Sequence, residues 1–170
     1  MLLETIQNAL NTQLKIELES SHTYLAMASW AENQGYPGTA EFLYRHSDEE
    51  RQHMLKLVRY INERGGVASI PNIDLPPIKI DGLTALFQKL LDHEVAVTQS
   101  INEVVDQTLQ AKDYSTHNFM QWYVAEQLEE EALAREIMDR LNLIGNDKGG
   151  LYLFDRDIST FEGTAPATQQ

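Results

Sequence analysis

Glu50 and His53 stand three residues apart in the run Asp48-Glu49-Glu50-Arg51-Gln52-His53. On a helix that spacing sets a carboxylate and an imidazole one above the other on a single face. Extended in steps of three and four, the face reads Leu43, His46, Glu50, His53, Leu57 and Ile61. Ionisable groups therefore occupy the centre of a stripe that is otherwise apolar. Burying an unpaired carboxylate costs several kcal/mol, and a bound metal ion is the strongest candidate to offset that cost. One Glu-x-x-His alone is a weak signal, because isolated matches are common on solvated helix faces.

The same inward-face test finds polar breaks in three other stretches. Leu10, Leu14, Glu17, Ser21, Tyr24 and Ala28 line up on the first, and Leu83, Leu86, Leu90, Glu94, Val97 and Ile101 on the third. On the fourth the face reads Phe119, Trp122 or Tyr123, Glu126 or Gln127, Glu130, Ile137 and Leu141. Each break falls near the middle of its helix, and the midpoints of four packed helices of similar length lie at one height. Glu17, Glu50, His53, Glu94, Gln127 and Glu130 are therefore expected to converge in one layer. Glu17 and Glu50 are separated by 33 residues, as are Glu94 and Gln127, and each second member has a partner three residues on, His53 or Glu130. The chain reads as two helical hairpins carrying similar ligand sets.

Carboxylates with one imidazole and no sulfur favour harder divalent ions such as iron or manganese. Four carboxylates, Glu17, Glu50, Glu94 and Glu130, balance two divalent cations, so the expected site is dinuclear with Glu50 as the bridging ligand. Two neighbouring iron ions can reduce dioxygen by one electron each, which a single iron cannot do without a further donor. Tyr24, two turns from Glu17, reads either as a core tyrosine with a satisfied hydroxyl or as a hydrogen-bonding, electron-donating group beside the metals. His22, His46, His93 and His117 are read as non-ligands, and Trp122 as packing.

These side chains need long helices to carry them. Ile6, Leu10, Leu14, Leu18, Leu25 and Ala28 recur at helical period over Thr5 to Gln34, which Gly35-Tyr36-Pro37-Gly38 ends. A second helix is expected from Thr39 to Arg64, closed by Gly65-Gly66. A third follows Asp81 and runs to Lys112; a fourth follows Asp113 or Ser115 and runs to Ile144. Gly145 and Gly149-Gly150 punctuate the end, and a short fifth helix covers Leu151 to Phe161. The link from Gly65 to Asp81, with Pro71, Pro76 and Pro77, is too long for a turn. Its 17 residues can reach about 56 Å, against about 42 Å for a 28-residue helix, so it can cross the bundle lengthwise. The expected fold is all-α: a four-helix bundle with one long crossover between helices 2 and 3, plus a short C-terminal fifth helix. Residues 1–162 form one domain and 163–170 a flexible tail.

Composition narrows the function classes. Thirteen basic against 26 acidic residues give 170 residues a net charge of −13, which argues against nucleic acid and anionic membranes as partners. The absence of cysteine excludes disulfides, iron–sulfur clusters and thiol catalysis. No apolar run reaches the ~20 residues of a membrane span, and Met1-Leu2-Leu3-Glu4-Thr5 does not read as a signal peptide. A cytoplasmic protein is expected.

From Leu2 to about Phe161 the chain resembles the bacterial non-haem ferritins. The matching residues are Glu17 with Tyr24, Glu49-Glu50-Arg51-Gln52-His53, His93-Glu94, and the run Trp122-Tyr123-Val124-Ala125-Glu126-Gln127-Leu128-Glu129-Glu130. Ferritin-like di-iron bundles are a recognised four-helix class. The resemblance implies one iron on Glu17, Glu50 and His53, a second on Glu50, Glu94 and Glu130, and Gln127 beside the pair. It also implies a third adjacent iron at Glu49, Glu126, Glu129 and Glu130. The implied activity is oxidation of ferrous iron by O2 or H2O2, with ferric mineral stored in a homo-oligomeric shell of twenty-four subunits. The fifth helix would line its fourfold axes. Gln52 stands where bacterioferritins carry a haem-binding methionine, so no haem is expected. His117 and Met120 stand where animal ferritins have the acids of the threefold iron channels. The alternatives are a di-iron peroxidase or oxygenase that forms no storage cage, and a helical scaffold whose acids bind nothing in particular.

Overall fold

The computed structural model describes residues 2–75 and 77–161. Among them are five helices and no strand: α1 (Glu4–Asn33), α2 (Pro37–Glu63), α3 (Gly82–Gln110), α4 (Tyr114–Ile144) and α5 (Lys148–Ile158). The four long helices make the expected bundle, with α5 across one end. The expected tail over 163–170 lies outside the described residues. No described helix is long and apolar enough to cross a membrane.

Two apolar clusters build the core, one at each end of the bundle. One joins Tyr24 to Ala31 of α1, Ala40 to Leu43 of α2, Leu83 to Leu90 of α3, Leu133 to Leu141 of α4, and Phe154 and Ile158 of α5. The other joins Leu2 to Leu14, Met54 to Ile61, Val97 to Val104, and Met120 with Tyr123. The N-terminal halves of α2 and α3 share the first cluster, so these helices run parallel. The link between them starts against one end and finishes at the other: Ala68 packs on the second cluster, Ile78 and Ile80 on the first. The crossover therefore spans the bundle's length. Early in its course it is pinned to α1, where Val67 N–H donates to Gln7 Oε1 at 2.8 Å and Ser69 N–H to Asn11 Oδ1 at 2.8 Å.

Several boundaries differ from the sequence reading, most of them by one to three residues. α2 begins at Pro37, not Thr39: proline's fixed φ and missing N–H suit the first helical position, where the N–H has no intrahelical partner. α5 begins at Lys148 and ends at Ile158, so Gly149 and Gly150 lie inside it. Asp147 makes this possible by accepting from Gly150 N–H at 2.6 Å, a side-chain cap that offsets the poor helix propensity of the two glycines. Leu25, read with the inward set of α1, is 47% exposed.

α5 is clasped to the bundle by a cap supplied from a distant part of the chain. The buried Asp155 carboxylate accepts from Gly38 N–H at 3.1 Å and Thr39 N–H at 2.8 Å, closing the open N-terminus of α2. Negative charge there is favoured by the helix dipole. A Cβ at Gly38 would lie 1.7 Å from the Asp155 carbonyl oxygen, so only glycine admits this approach. Asp155→Ala is expected to lose about 2 kcal/mol, a cap plus its charge, or roughly 4–8 °C of Tm. Thermal melting checks this, and faster proteolysis around residues 145–147 would show α5 releasing first.

Candidate metal centre

Between the two apolar clusters lies a polar layer. Gln13, Glu17, Ser20, Ser21, His46, Ser47, Glu50, His53, Glu94 and Gln127 are all buried there. α1 and α2 are drawn together at Ser21 and Ser47: each hydroxyl donates to the other's carbonyl at 2.7 Å. That reciprocal pair sits one turn from Glu17 and from Glu50, and it sets the register in which the two acids face each other. Ser21 is on the predicted stripe, but nothing in the sequence marks Ser47 as its partner.

The best-formed group is Glu17, Glu50 and His53. Each offers one ligand atom, all within 4.8 Å of one another, and all three residues are buried. His53 Nδ1 is 3.3 Å from Glu50 Oε2 and 3.6 Å from Glu17 Oε2. The other Glu17 oxygen accepts from Gln13 Nε2 at 2.7 Å, and Gln13 is itself oriented by Ser100 Oγ at 2.7 Å. Behind His53, Tyr123 donates its hydroxyl to the His53 carbonyl at 2.8 Å, and the Trp122 ring meets the imidazole edge-on at 5.0 Å. Lys56 stands over the outer face of Trp122, 4.0 Å from the ring centre.

Glu94 faces this group from α3. Tyr24 donates to its Oε1 and Gln127 Nε2 to its Oε2 at 3.1 Å, with a further contact from Gln127 to the Glu94 carbonyl at 3.2 Å. Glu130 comes from α4 with its Oε2 3.6 Å from His46 Nε2. His46, Glu49 and Glu130 make a second group of possible ligands. Sequence reasoning set His46 aside; the structure puts it against Glu130, because one helical turn separates His46 from Glu50 on the same buried face. Glu126 Oε2 is 4.0 Å from His53 Nε2. Glu49 is exposed and Glu129 half-buried, so these two reach the layer from its rim. Met120 is fully buried in the lower core and His117 half-buried. His93, read from the sequence as a non-ligand, is held by Ser20 Oγ at 2.7 Å and meets the Tyr24 ring edge-on.

The electrostatics are those of anions crowded away from water. Burial pushes Glu50 well above the usual carboxylate range, with the charges of Glu17 and Glu94 adding to it, although His53 opposes the shift. Glu94 is raised to about 7 by burial and by the charge of Glu130, against the hydrogen bonds from Tyr24 and Gln127. Burial would lower His53, but its contacts with Glu17 and Glu50 win and raise it to about 11. Burial would raise Glu130, yet His46 holds it below the usual value. Burial also raises Glu126, whose neighbours Glu130 and Glu129 add repulsion.

Cations fit this donor set. Glu50 Oε2 and Glu126 Oε1 are buried without an aligned hydrogen bond, a costly state for a carboxylate oxygen. The available donors are oxygen with imidazole nitrogen and no sulfur, which suits divalent iron, manganese or zinc.

The profile of the family described as ferritin-like domain matches residues 7–144. The chain is 44% identical to a Haemophilus influenzae protein named "Probable bacterial non-heme ferritin-like protein", over 97% of this chain and 100% of that one. It is 41% identical to the bacterial non-heme ferritin of Campylobacter jejuni, over 93% and 95% of the two chains. The chain belongs to the ferritin family. An open-pore ferritin from the hyperthermophilic archaeon Archaeoglobus fulgidus superposes with a TM-score of 0.92 at 39% identity, covering 95% of this ferritin and 98% of that chain. The buried carboxylate–histidine layer of this ferritin thus sits in a bundle of ferritin fold.

Proposed function

We propose that this ferritin is a ferroxidase and iron store. Ferrous iron is its substrate, oxidised by O2 or H2O2 in the buried layer, and ferric mineral is kept inside a shell of twenty-four subunits in the cytoplasm. Residues 1–162 act as one functional domain. What supports this reading is the buried acids of three helices, Glu17, Glu50 and Glu94, with the half-buried Glu126 and Glu130 of α4 beside the histidines, and carboxylate oxygens left without an aligned hydrogen bond. On this reading Glu17, Glu50 and His53 hold one ferrous ion, and Glu50, Glu94 and Glu130 the other, with Glu50 common to both. Each ferrous ion gives up one electron, so a pair reduces one O2 to H2O2 with the uptake of two protons.

The chain's own groups bind and orient. Tyr24 and Gln127 aim the two oxygens of Glu94. Gln13 does the same for Glu17, and Tyr123 braces the backbone of His53. The protons that burial retains on Glu94 and Glu50 leave when cations arrive, because a ligand must be deprotonated to coordinate. Glu49, Glu126, Glu129 and Glu130 offer a third cation position at the rim of the layer.

A di-iron oxygenase or peroxidase acting on an organic substrate needs a pocket. A groove beside the layer, lined by Thr98, Ile101, Gln127 and Glu131, has a volume of about 180 Å³, below the usual range of roughly 300–1,000 Å³ for ligand sites. Light scattering on the iron-free protein distinguishes the readings. A shell of twenty-four 19.4 kDa chains has a mass of about 470 kDa, and particles of that size should retain ferric iron through gel filtration. A monomer or dimer that oxidises ferrous iron without retaining it would overturn the storage reading.

A further inference from the structure

Gln127 reaches Glu94 across the α3–α4 interface, and one turn further on Glu131 reaches Thr98 in the same register. Both pairs are separated by 33 residues, so they stack as successive rungs between the two helices. The second rung is the tighter. Thr98 Oγ1 donates to Glu131 Oε1 at 2.6 Å, and Glu131 Oε2 accepts from Arg135 Nη1 at 2.6 Å. It holds the place in this hairpin that the Ser21–Ser47 pair holds in the other. The direction of its bonds reaches the buried layer. A hydroxyl has one proton to give, and a carboxylate only accepts. The Glu94 carbonyl also lies 3.0 Å from Thr98 Oγ1, but the charged acceptor is closer and forms the stronger bond. The Thr98 proton therefore points at Glu131, and its lone pairs are left for Gln127 Nε2, 3.3 Å away. That nitrogen faces three acceptors: Thr98 Oγ1, the Glu94 carbonyl at 3.2 Å and Glu94 Oε2 at 3.1 Å. Turned the other way, the amide would set its oxygen against all three. Its NH2 group is thus locked on Glu94, while Tyr24 holds the other carboxylate oxygen. Each Glu94 oxygen keeps a further lone pair for a cation.

We propose that Thr98 and Glu131 are positioning residues for the second ion of the pair. Arg135 holds Glu131, Glu131 orients Thr98, and Thr98 fixes the amide of Gln127 that aims Glu94. None of the three touches the ion. The inference rests on the reading that Glu94 binds a cation, and it gives that ligand an outer support running to the surface, where the Arg135 side chain is 53% exposed. The anchor has to be charged for a physical reason. Thr98, Gln127, Glu131 and Arg135 line one groove between α3 and α4, and a neutral hydroxyl beside solvent can turn either way. A carboxylate acceptor removes that choice, at a bond strength about twice that of a neutral partner.

The test titrates the assembled, iron-free protein with zinc alone and locates each ion by anomalous scattering at the zinc edge. The parent should hold one zinc among Glu17, Glu50 and His53, and another within about 2.2 Å of a Glu94 oxygen. Thr98→Val keeps the shape of the side chain and removes its hydroxyl. It should weaken the Glu94 zinc about tenfold, the lower end of the effect of losing an outer partner of a ligand, and leave the other zinc unchanged. Thr98→Ser should restore the parent affinity. Glu131→Ala frees the Thr98 proton to turn to the Glu94 carbonyl, and should weaken the same zinc by a smaller factor. A loss shared equally by both ions, or one that Thr98→Ser does not restore, would mark a merely structural contact and overturn the proposal. Parent affinity at Glu94 in Thr98→Val overturns it too. Should Thr98→Val fail to assemble, Glu131→Ala decides, and parent affinity there overturns the proposal. A parent protein with no zinc on Glu94 is a different failure, because it overturns the ligand reading beneath the proposal.

Discussion

Glu50→Ala is expected to abolish fast ferrous oxidation while leaving the bundle folded and assembled. Glu50 is the acid that both proposed iron positions share, and its Oε2, like Glu126 Oε1, is buried without an aligned hydrogen bond. Losing an outer partner of a metal ligand costs 10–100-fold in affinity or activity, so losing a bridging ligand should cost at least about a hundredfold in the initial rate of ferric absorbance. Folding should be spared, because burial of Glu50 is itself unfavourable and His53 keeps Glu17 as a partner at 3.6 Å. The metal-free melting temperature is therefore expected to stay the same or rise, with the small cavity left by truncation working against the gain. A variant that oxidises iron at the parent rate would show that the proposed ligand set is wrong. A variant that no longer assembles would show that Glu50 holds the bundle together rather than tuning it for metal.

The second large effect is a stability gap that opens with pH. Groups that bind protons more tightly folded than unfolded contribute stability that is complete at low pH and is lost as the pH rises through the folded value. Glu94 is such a group, raised from 4.5 to about 7, and Glu50 shifts in the same direction. His53 extends the window, raised from 6.5 to about 11. The metal-free protein should therefore lose stability from about pH 4.5 through 7 and on toward 11, with Glu94 alone contributing on the order of 3 kcal/mol at 1.36 kcal/mol per pKa unit. Glu130 has the opposite sign, but its depressed value confines its effect to the acid side of that window. Bound cations replace the protons and stabilise the folded state by mass action. The difference in Tm between protein loaded anaerobically with ferrous iron and metal-free protein should then widen from pH 5 to 8. Loading should also release protons, visible as a heat of binding that depends on the buffer. A gap that stays constant with pH would mean that the layer holds no protons for metal to displace.

Both effects have their origin in a pattern that is local in the chain. Glu17, Glu50 and Glu94 each occupy an inward position of their helix, with buried residues three or four away on both sides, and Gln127 lies one turn after the buried Tyr123. Periodicity reveals which way a side chain faces, since the 3.6-residue turn is fixed by backbone geometry alone. It also gave the crossover, because the length of the link could be weighed against the length of a helix. Boundaries read less well where glycine and proline occur together. Pro37 and Gly149-Gly150 look like breakers in isolation, and become helical only because the chain turns at Tyr36 and Asp147 caps α5.

Taken alone, the chain of residues determined five helices, their buried faces, the height of the polar layer and the kind of cation its donors suit. Partnership across helices was decided by the tertiary structure. Asp155 caps α2 from 117 residues beyond Gly38, and Ser21 meets Ser47 across the α1–α2 interface. His46, set aside on its own helix, finds Glu130 on another. A helical period specifies direction but not the atom that waits opposite. Opposition depends on how far two backbones approach and which rotamers remain once the core is filled, quantities that exist only when all the helices are in place.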